Sequence, residues 1–88
     1  MVFENLHNYY ETLVTDHMKD NHGDISDPEL LEDIACVALN QLPPRYIRHN
    51  VDFIFYMSSD ERTKMTKQVE KAVTEAIQFV IKTKQKNK

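Results

Sequence analysis

The sequence predicts a small, mostly helical, single-domain protein with three main helices and one short extended segment. Three stretches carry apolar residues at helical spacing, and proline, glycine and serine signals separate these stretches. The chain has 88 residues, which is enough for one domain and too few for two. We expect residues 1–82 to form this domain and residues 83–88 to form a frayed, basic tail.

The first predicted helix runs from about Phe3 to Asn21. Its apolar stripe repeats every three or four positions and contains Phe3, Leu6, Tyr10, Leu13 and His17, with Tyr9, Val14 and Met18 beside them. Gly23 follows the helix at the position where a left-handed C-terminal cap is expected.

The second predicted helix begins at Asp27, which suits an N-cap, and at Pro28, which suits the first helical position. It must end by Leu42, because Pro43 disfavours helical geometry in the residue before it. The residues between are apolar nearly all round, which predicts a central, buried helix. We therefore expect Cys36 to be a buried, small hydrophobic residue and not a nucleophile.

The third predicted helix begins near Ser58, because Ser58 and Glu61 have the spacing of a capping box. It extends to about Lys82, and lysines suit the negative C-terminal end of a helix. Its apolar stripe consists of Val69, Ala72, Val73, Ala76, Ile77, Val80 and Ile81.

Residues 51–57 are rich in β-branched and aromatic side chains and predict a short extended segment. The sequence offers no second strand with which this segment could pair inside the chain. Pairing with its own copy across a two-fold axis would satisfy its backbone groups. A chain this short also has a marginal core of its own. Both arguments predict a homodimer.

Charge and composition limit the classes of function. The net charge is −3, but residues 1–44 carry −8 and residues 45–88 carry +5. The acidic half makes nucleic-acid binding improbable. No apolar run is long enough to span a membrane. Cys36 is the single cysteine and no secretory signal is evident, so we expect a cytoplasmic protein without disulfides.

No catalytic or metal site emerges from the remaining polar residues. His17 and His22 are five positions apart, which on a helix places them about 140° apart. Helical metal ligands are instead spaced by three or four positions. Ser58 and Ser59 have no evident triad and are assigned to capping. We expect no cofactor, no metal and no enzyme activity.

One polar block follows the buried second helix, and its members are Asn40, Pro43, Pro44, Arg45, Tyr46 and Arg48. The two arginines offer fork-shaped donors that suit phosphate, and Tyr46 offers a face on which a base can stack. A structural interpretation stands beside this one. In it the prolines end the helix, Tyr46 packs, and the Arg48 stem lies along the surface.

The same block resembles the signature of the ComFB family, the late competence development proteins of bacteria. In that pattern a helix ends in Ala-Leu-Asn-x-Leu-Pro-Pro-x-Tyr. The matching residues are Ala38, Leu39, Asn40, Leu42, Pro43, Pro44 and Tyr46. The opening Asn8-Tyr9-Tyr10-Glu11 and the segment at residues 51–57 are also similar to the family.

The resemblance implies a small helical protein that is often dimeric. Some branches of the family are described as receptors for cyclic dinucleotides that link them to motility and competence. Other members carry a four-cysteine zinc site, which does not transfer to a chain with one cysteine. For this chain the resemblance implies a cyclic dinucleotide ligand, such as c-di-GMP, and it places Asn40, Pro43, Pro44 and Tyr46 at the bend of the family pattern. The chemistry of phosphate binding adds Arg45 and Arg48, and also Lys64 and Lys67 on condition that they face the same cleft. An adaptor dimer that acts through protein contacts with an unknown partner is the alternative.

Overall fold

A computed structural model of the protein describes residues 6–48 and 57–86. The described part consists of three helices and a two-stranded antiparallel sheet. The elements in chain order are β1 (His7–Asn8), α1 (Tyr9–Asn21), α2 (Pro28–Gln41), β2 (Tyr46–Ile47) and α3 (Ser59–Lys86). The predicted class, mostly helical with three main helices, is confirmed.

Helix α1 begins at Tyr9, which corrects the predicted start near Phe3, a residue outside the described ranges. Asn8 is the N-cap in an extended conformation, and its side chain accepts a hydrogen bond from the Tyr10 backbone N–H at 3.2 Å. An Asn cap in this geometry stops the helix from continuing upstream. Leu6, which the predicted stripe included, is 46% exposed.

The end of α1 at Asn21 agrees with the prediction, but the expected left-handed glycine is absent from the described residues. His22 caps the helix at a φ of −133°, and its backbone N–H donates to the Met18 carbonyl at 2.8 Å. The prediction that Gly23 adopts a left-handed conformation is therefore wrong.

The bounds of α2 confirm the prediction at both ends. Asp27 is the N-cap and accepts a hydrogen bond from the Glu29 backbone N–H at 3.0 Å. Pro28 is the first helical residue, and Leu42 is the C-cap just before Pro43. Local capping and proline chemistry are sufficient to define this helix.

The burial of α2 differs from the prediction. Ile34 and Ala38 are fully buried, whereas Cys36 is exposed. Helices α1 and α3 both pack against α2, and Cys36 is not among the residues of the core that they share. The helix is apolar nearly all round but is not buried all round, so the expectation of a buried cysteine is wrong.

Helix α3 begins at Ser59, and the Ser58 hydroxyl accepts a hydrogen bond from the Glu61 backbone N–H at 3.1 Å, as the capping pattern predicts. The helix continues past Lys82 to Lys86, so part of the predicted tail is helical. Its buried side chains share one stripe and are Met65, Val69, Ala72, Val73, Ala76 and Val80. They pack against Val14 of α1 and Ile34 of α2 in a single core.

The two strands were not predicted. β1 pairs antiparallel with β2, in a register that places His7 opposite Ile47 and Asn8 opposite Tyr46. The extended segment predicted at residues 51–57 lies outside the described residues except for Met57, which is buried and not in a strand.

Helices α2 and α3 run antiparallel, so the end of α2 lies beside the start of α3. Pro43, just after α2, lines a surface with Gln68, whereas Val37, earlier in α2, lines a surface with Phe79. The start of α1, the end of α2 and the start of α3 therefore lie at one end. In the described part of the chain, no helix is both long enough and apolar enough to cross a membrane.

Candidate functional site

The backbone of Arg45 is fixed by the start of α1. Its N–H donates to the Asn8 side-chain oxygen at 3.0 Å, and its carbonyl accepts from the Tyr9 N–H at 2.7 Å. Asn8 thus accepts hydrogen bonds from both Tyr10 and Arg45. These bonds continue the β1–β2 pairing and hold the segment after the two prolines against the first turn of α1.

The side chain of Arg45 reaches the first turn of α3. Its guanidinium forms an ion pair with the Glu61 carboxylate at 2.9 Å. The two side chains are 49% and 36% exposed, so the pair contributes little to stability, about 0–1 kcal/mol. An exposed pair of this kind can exchange its carboxylate for another anion at low cost.

Tyr10 forms the base of this region. It is 4% exposed, and its hydroxyl donates to the Gln68 side-chain oxygen at 2.7 Å. Burial raises the pKa of the Tyr10 phenol; the charge of Arg45 opposes this rise and the charge of Glu61 adds to it. Tyr10 is therefore a neutral hydrogen-bond donor at neutral pH.

These residues line a surface groove of about 260 Å³, here called the Arg45 groove. Besides Arg45 and Glu61, it is lined by Tyr10, Pro43, Pro44, Lys64, Met65 and Gln68. It brings two cations, one carboxylate and one amide to the rim of an apolar floor. Such a groove can bind an anion through Arg45 and Lys64, provided that the anion displaces Glu61.

The remaining residues of the predicted block lie outside the Arg45 groove. Asn40 lines a different groove with Val37 and Phe79, and its side-chain amide donates to the Cys36 sulfur at 3.8 Å. Tyr46 is 63% exposed. Arg48 is exposed. Of the predicted block, Pro43, Pro44 and Arg45 therefore line the Arg45 groove, and the other three residues do not.

The two lysines proposed as phosphate contacts face different surfaces. Lys64 lines the Arg45 groove. Lys67 instead lines an open polar surface along α3 that includes Arg62 and Glu70. The two lysines therefore carry the same charge on the same helix, but only Lys64 lines the Arg45 groove.

Sequence reasoning missed Asn8, Tyr10, Glu61 and Gln68 as members or supports of this region. Asn8 carried a usable signal, because an asparagine before an aromatic and acidic first turn is a favourable N-cap. The contacts of Tyr10 with Gln68 and of Arg45 with Glu61 join residues distant in sequence, and no local pattern indicates them.

Among the described residues, no group of three or more His, Cys, Asp or Glu side chains is close enough to hold a metal ion. His17 and His22 do approach each other, with ring centroids 5.6 Å apart. Helical spacing predicted different faces, but α1 ends at Asn21 and the chain turns there. The prediction of separate faces is therefore wrong for this pair.

A family model described as the late competence development protein ComFB matches residues 7–84, which is nearly the whole chain. The match includes β1, α1, α2, β2, all of α3 except its last two residues, and all residues of the Arg45 groove. No curated protein and no solved structure matches the chain.

Proposed function

We propose, from the premise that this chain belongs to the ComFB family, that it is a non-enzymatic regulatory protein that binds a cyclic dinucleotide, with c-di-GMP as the first candidate. One observation carries the proposal. Arg45, from the segment after α2, and Lys64, from the second turn of α3, line the same groove. Two cations from separate elements that meet at one surface favour a phosphate-bearing ligand.

A cyclic dinucleotide presents two phosphates and two purines. Arg45 offers a planar fork of donors for phosphate oxygens, and Lys64 offers a point charge. The rings of Pro43 and Pro44 and the floor at Met65 offer apolar contact for a purine. A phosphate would take the place that the Glu61 carboxylate occupies on Arg45.

The size of the groove supports a shared site. Its volume of about 260 Å³ lies below the ~300–1,000 Å³ of typical small-molecule pockets. A two-fold symmetric ligand needs two equal half-sites, and a second copy of the chain would supply the second one. The proposal therefore includes a homodimer, acting in the bacterial cytoplasm in competence or motility.

The make-up of the groove also supports a binding role over a catalytic one. Among the described residues, its lining contains no serine, cysteine or histidine, and the one carboxylate found there, Glu61, is paired with Arg45. General acid–base or nucleophilic catalysis requires such groups within reach of one another. We propose that the ligand is bound and released unchanged.

The test is titration calorimetry of the purified protein with c-di-GMP and then with c-di-AMP. Arg45→Ala should weaken binding at least about tenfold, since a hydrogen bond to a charged group contributes ~1.5–3 kcal/mol. Arg62→Ala is the matched control, because Arg62 carries the same charge on α3 but lines a different surface. Circular dichroism should show that both variants are folded.

Absence of heat with either nucleotide, from a folded dimer, would contradict the receptor proposal. Equal weakening by Arg45→Ala and Arg62→Ala would contradict the assignment to this groove, because it would show a general charge effect.

An adaptor dimer without a nucleotide ligand is the second candidate. It is favoured by large aromatic side chains that face solvent, since Phe79 is 59% exposed and Tyr46 is 63% exposed. Exposed aromatic residues are typical of protein-contact surfaces. In that case Phe79→Ser should reduce self-association in sedimentation experiments, whereas a receptor whose dimer does not use Phe79 would be unaffected.

A further inference from the structure

A second groove lies between the end of α1 and the start of α2, and it shares no lining residue with the Arg45 groove. This α1–α2 groove has a volume of about 470 Å³, within the ~300–1,000 Å³ range of binding pockets. Its floor is apolar and is formed by Met18, Ile25, Leu31 and Ala35. Ile25, Leu31 and Ala35 remain half-exposed to solvent.

The part of the chain that forms the α1–α2 groove is strongly acidic. Residues 15–35 contain seven carboxylates and one lysine, a net charge of −6. All seven carboxylates are exposed, namely Asp16, Asp20, Asp24, Asp27, Glu29, Glu32 and Asp33. Glu32 and Lys19 stand on the rim of the groove itself. The other six carboxylates lie on the same segments but do not line the groove, so its apolar floor belongs to an acidic part of the chain.

We infer that the α1–α2 groove docks a basic amphipathic helix of a protein partner. Apolar side chains on one face of that helix would pack on the groove floor, and its lysines or arginines would face the surrounding carboxylates. Helix-in-groove recognition uses apolar anchors at i, i+3, i+4 and i+7 in this way. Complementary charge selects the partner and accelerates its association.

Charge decides between this occupant and the alternatives. Nucleic acid and anionic membrane surfaces are repelled by a net charge of −6. A neutral apolar ligand would use the floor but would gain nothing from the carboxylates. The inference is independent of nucleotide binding, because Arg45 and Lys64 take no part in it.

The test uses a fluorescein-labelled synthetic helix, built of leucines on one face and lysines on the other, in an anisotropy titration. The control probe carries glutamates in place of the lysines. We expect the lysine probe to bind and the glutamate probe not to bind. Binding should weaken as ionic strength rises from about 0.01 M to about 0.15 M, because the Debye length falls from about 30 Å to about 8 Å.

A matched pair of variants locates the contact. Ala35→Arg puts a cation on the groove floor, whereas Cys36→Arg puts the same charge on the next residue, which is exposed and outside the groove. Ala35→Arg should weaken binding of the lysine probe at least about tenfold more than Cys36→Arg. Thr15→Arg, at an exposed position of the groove wall, repeats the test should Ala35→Arg fail to fold.

Four results would overturn the inference. Equal weakening by Ala35→Arg and Cys36→Arg would show charge attraction without a docking groove. Equal binding of the lysine and glutamate probes would show that the groove does not select a basic helix. Absence of binding by the lysine probe at low salt would show that it does not bind one. Self-association that Ala35→Arg abolishes and Cys36→Arg preserves would identify a second copy as the occupant.

Discussion

The Arg45 end and the α1–α2 end of the molecule are organised by different kinds of contact. At the Arg45 end, hydrogen bonds and an ion pair join Asn8, Arg45 and Glu61, which belong to three separate parts of the chain. At the α1–α2 end, His22 bonds back to α1 and Asp27 caps α2, each within a few residues. The first end depends on tertiary contacts, whereas the second depends on local ones.

This difference indicates where a bound ligand can influence the fold. A ligand that draws the guanidinium of Arg45 away from Glu61 acts on a segment tied to α1 by its backbone and to α3 by its side chain. A partner in the α1–α2 groove would contact helix ends that are already fixed by their own caps.

The largest effect is expected in the core that both ends share. Ala38→Asp would bury an unpaired carboxylate at a position with 0% exposure, a cost of several kcal/mol against a total stability of about 5–15 kcal/mol. Cys36→Asp, two residues away on the exposed side of α2, should change stability by less than about 0.5 kcal/mol. Thermal unfolding measures both, and similar melting temperatures would contradict the burial pattern of α2.

The next effect compares the two ends directly. Asn8→Ala removes one oxygen that accepts from both Tyr10 and Arg45, so we expect a loss of about 2 kcal/mol. Asp27→Ala removes a cap that accepts one hydrogen bond, from the Glu29 N–H, and we expect a loss of about 1 kcal/mol. Urea unfolding of both variants provides the comparison. A larger loss at Asp27 would reverse the contrast between the ends.

A smaller effect concerns the pH dependence of Tyr10. The raised pKa means that folded Tyr10 keeps its proton to higher pH than the unfolded residue, which ionises near pH 10. Below that pH both states are protonated and Tyr10 adds no pH dependence. Above it the unfolded state loses its proton first, so the free energy of unfolding should fall. In Tyr10→Phe, which has no phenol to ionise, the free energy of unfolding should fall less steeply at alkaline pH. Unfolding experiments at alkaline pH measure this difference.

The smallest effect is expected at Gly23. Its backbone is not left-handed, and an added Cβ would lie 3.5 Å from the Lys19 carbonyl oxygen, an ordinary contact. Gly23→Ala should therefore stabilise the protein by about 0.4–1 kcal/mol, because alanine lowers the conformational entropy of the unfolded chain. Destabilisation in a denaturant titration would instead support the left-handed cap predicted from the sequence.

Local signals in the sequence predicted much of the fold. Asp27, Pro28 and Pro43 defined α2, and Ser58 with Glu61 defined the start of α3. Asn8 carries the same kind of signal, but the apolar stripe continues upstream to Phe3 and predicts an earlier start. Helical periodicity indicates which residues share a face, but it does not say where the helix begins.

Contacts between residues that are distant in the chain could not be predicted from local sequence patterns. The pairing of β1 with β2 involves two residues on each strand, too few for an alternating pattern. Arg45 was predicted as a ligand residue, but its neighbour Glu61 and the Tyr10–Gln68 floor depend on how the helices pack. The exposure of Cys36 likewise depends on which side of α2 its neighbours cover.

The proposed binding of c-di-GMP in the Arg45 groove can be tested with a matched pair of lysines, Lys64 and Lys67. Both are lysines of α3, but Lys64 lines the groove and Lys67 lines a different surface. The measurement is the calorimetric dissociation constant of c-di-GMP for Lys64→Ala and for Lys67→Ala. We expect Lys64→Ala to weaken binding about tenfold and Lys67→Ala to leave it within about twofold of the unmodified protein. Equal constants for the two variants, or no binding by the unmodified protein, would contradict it.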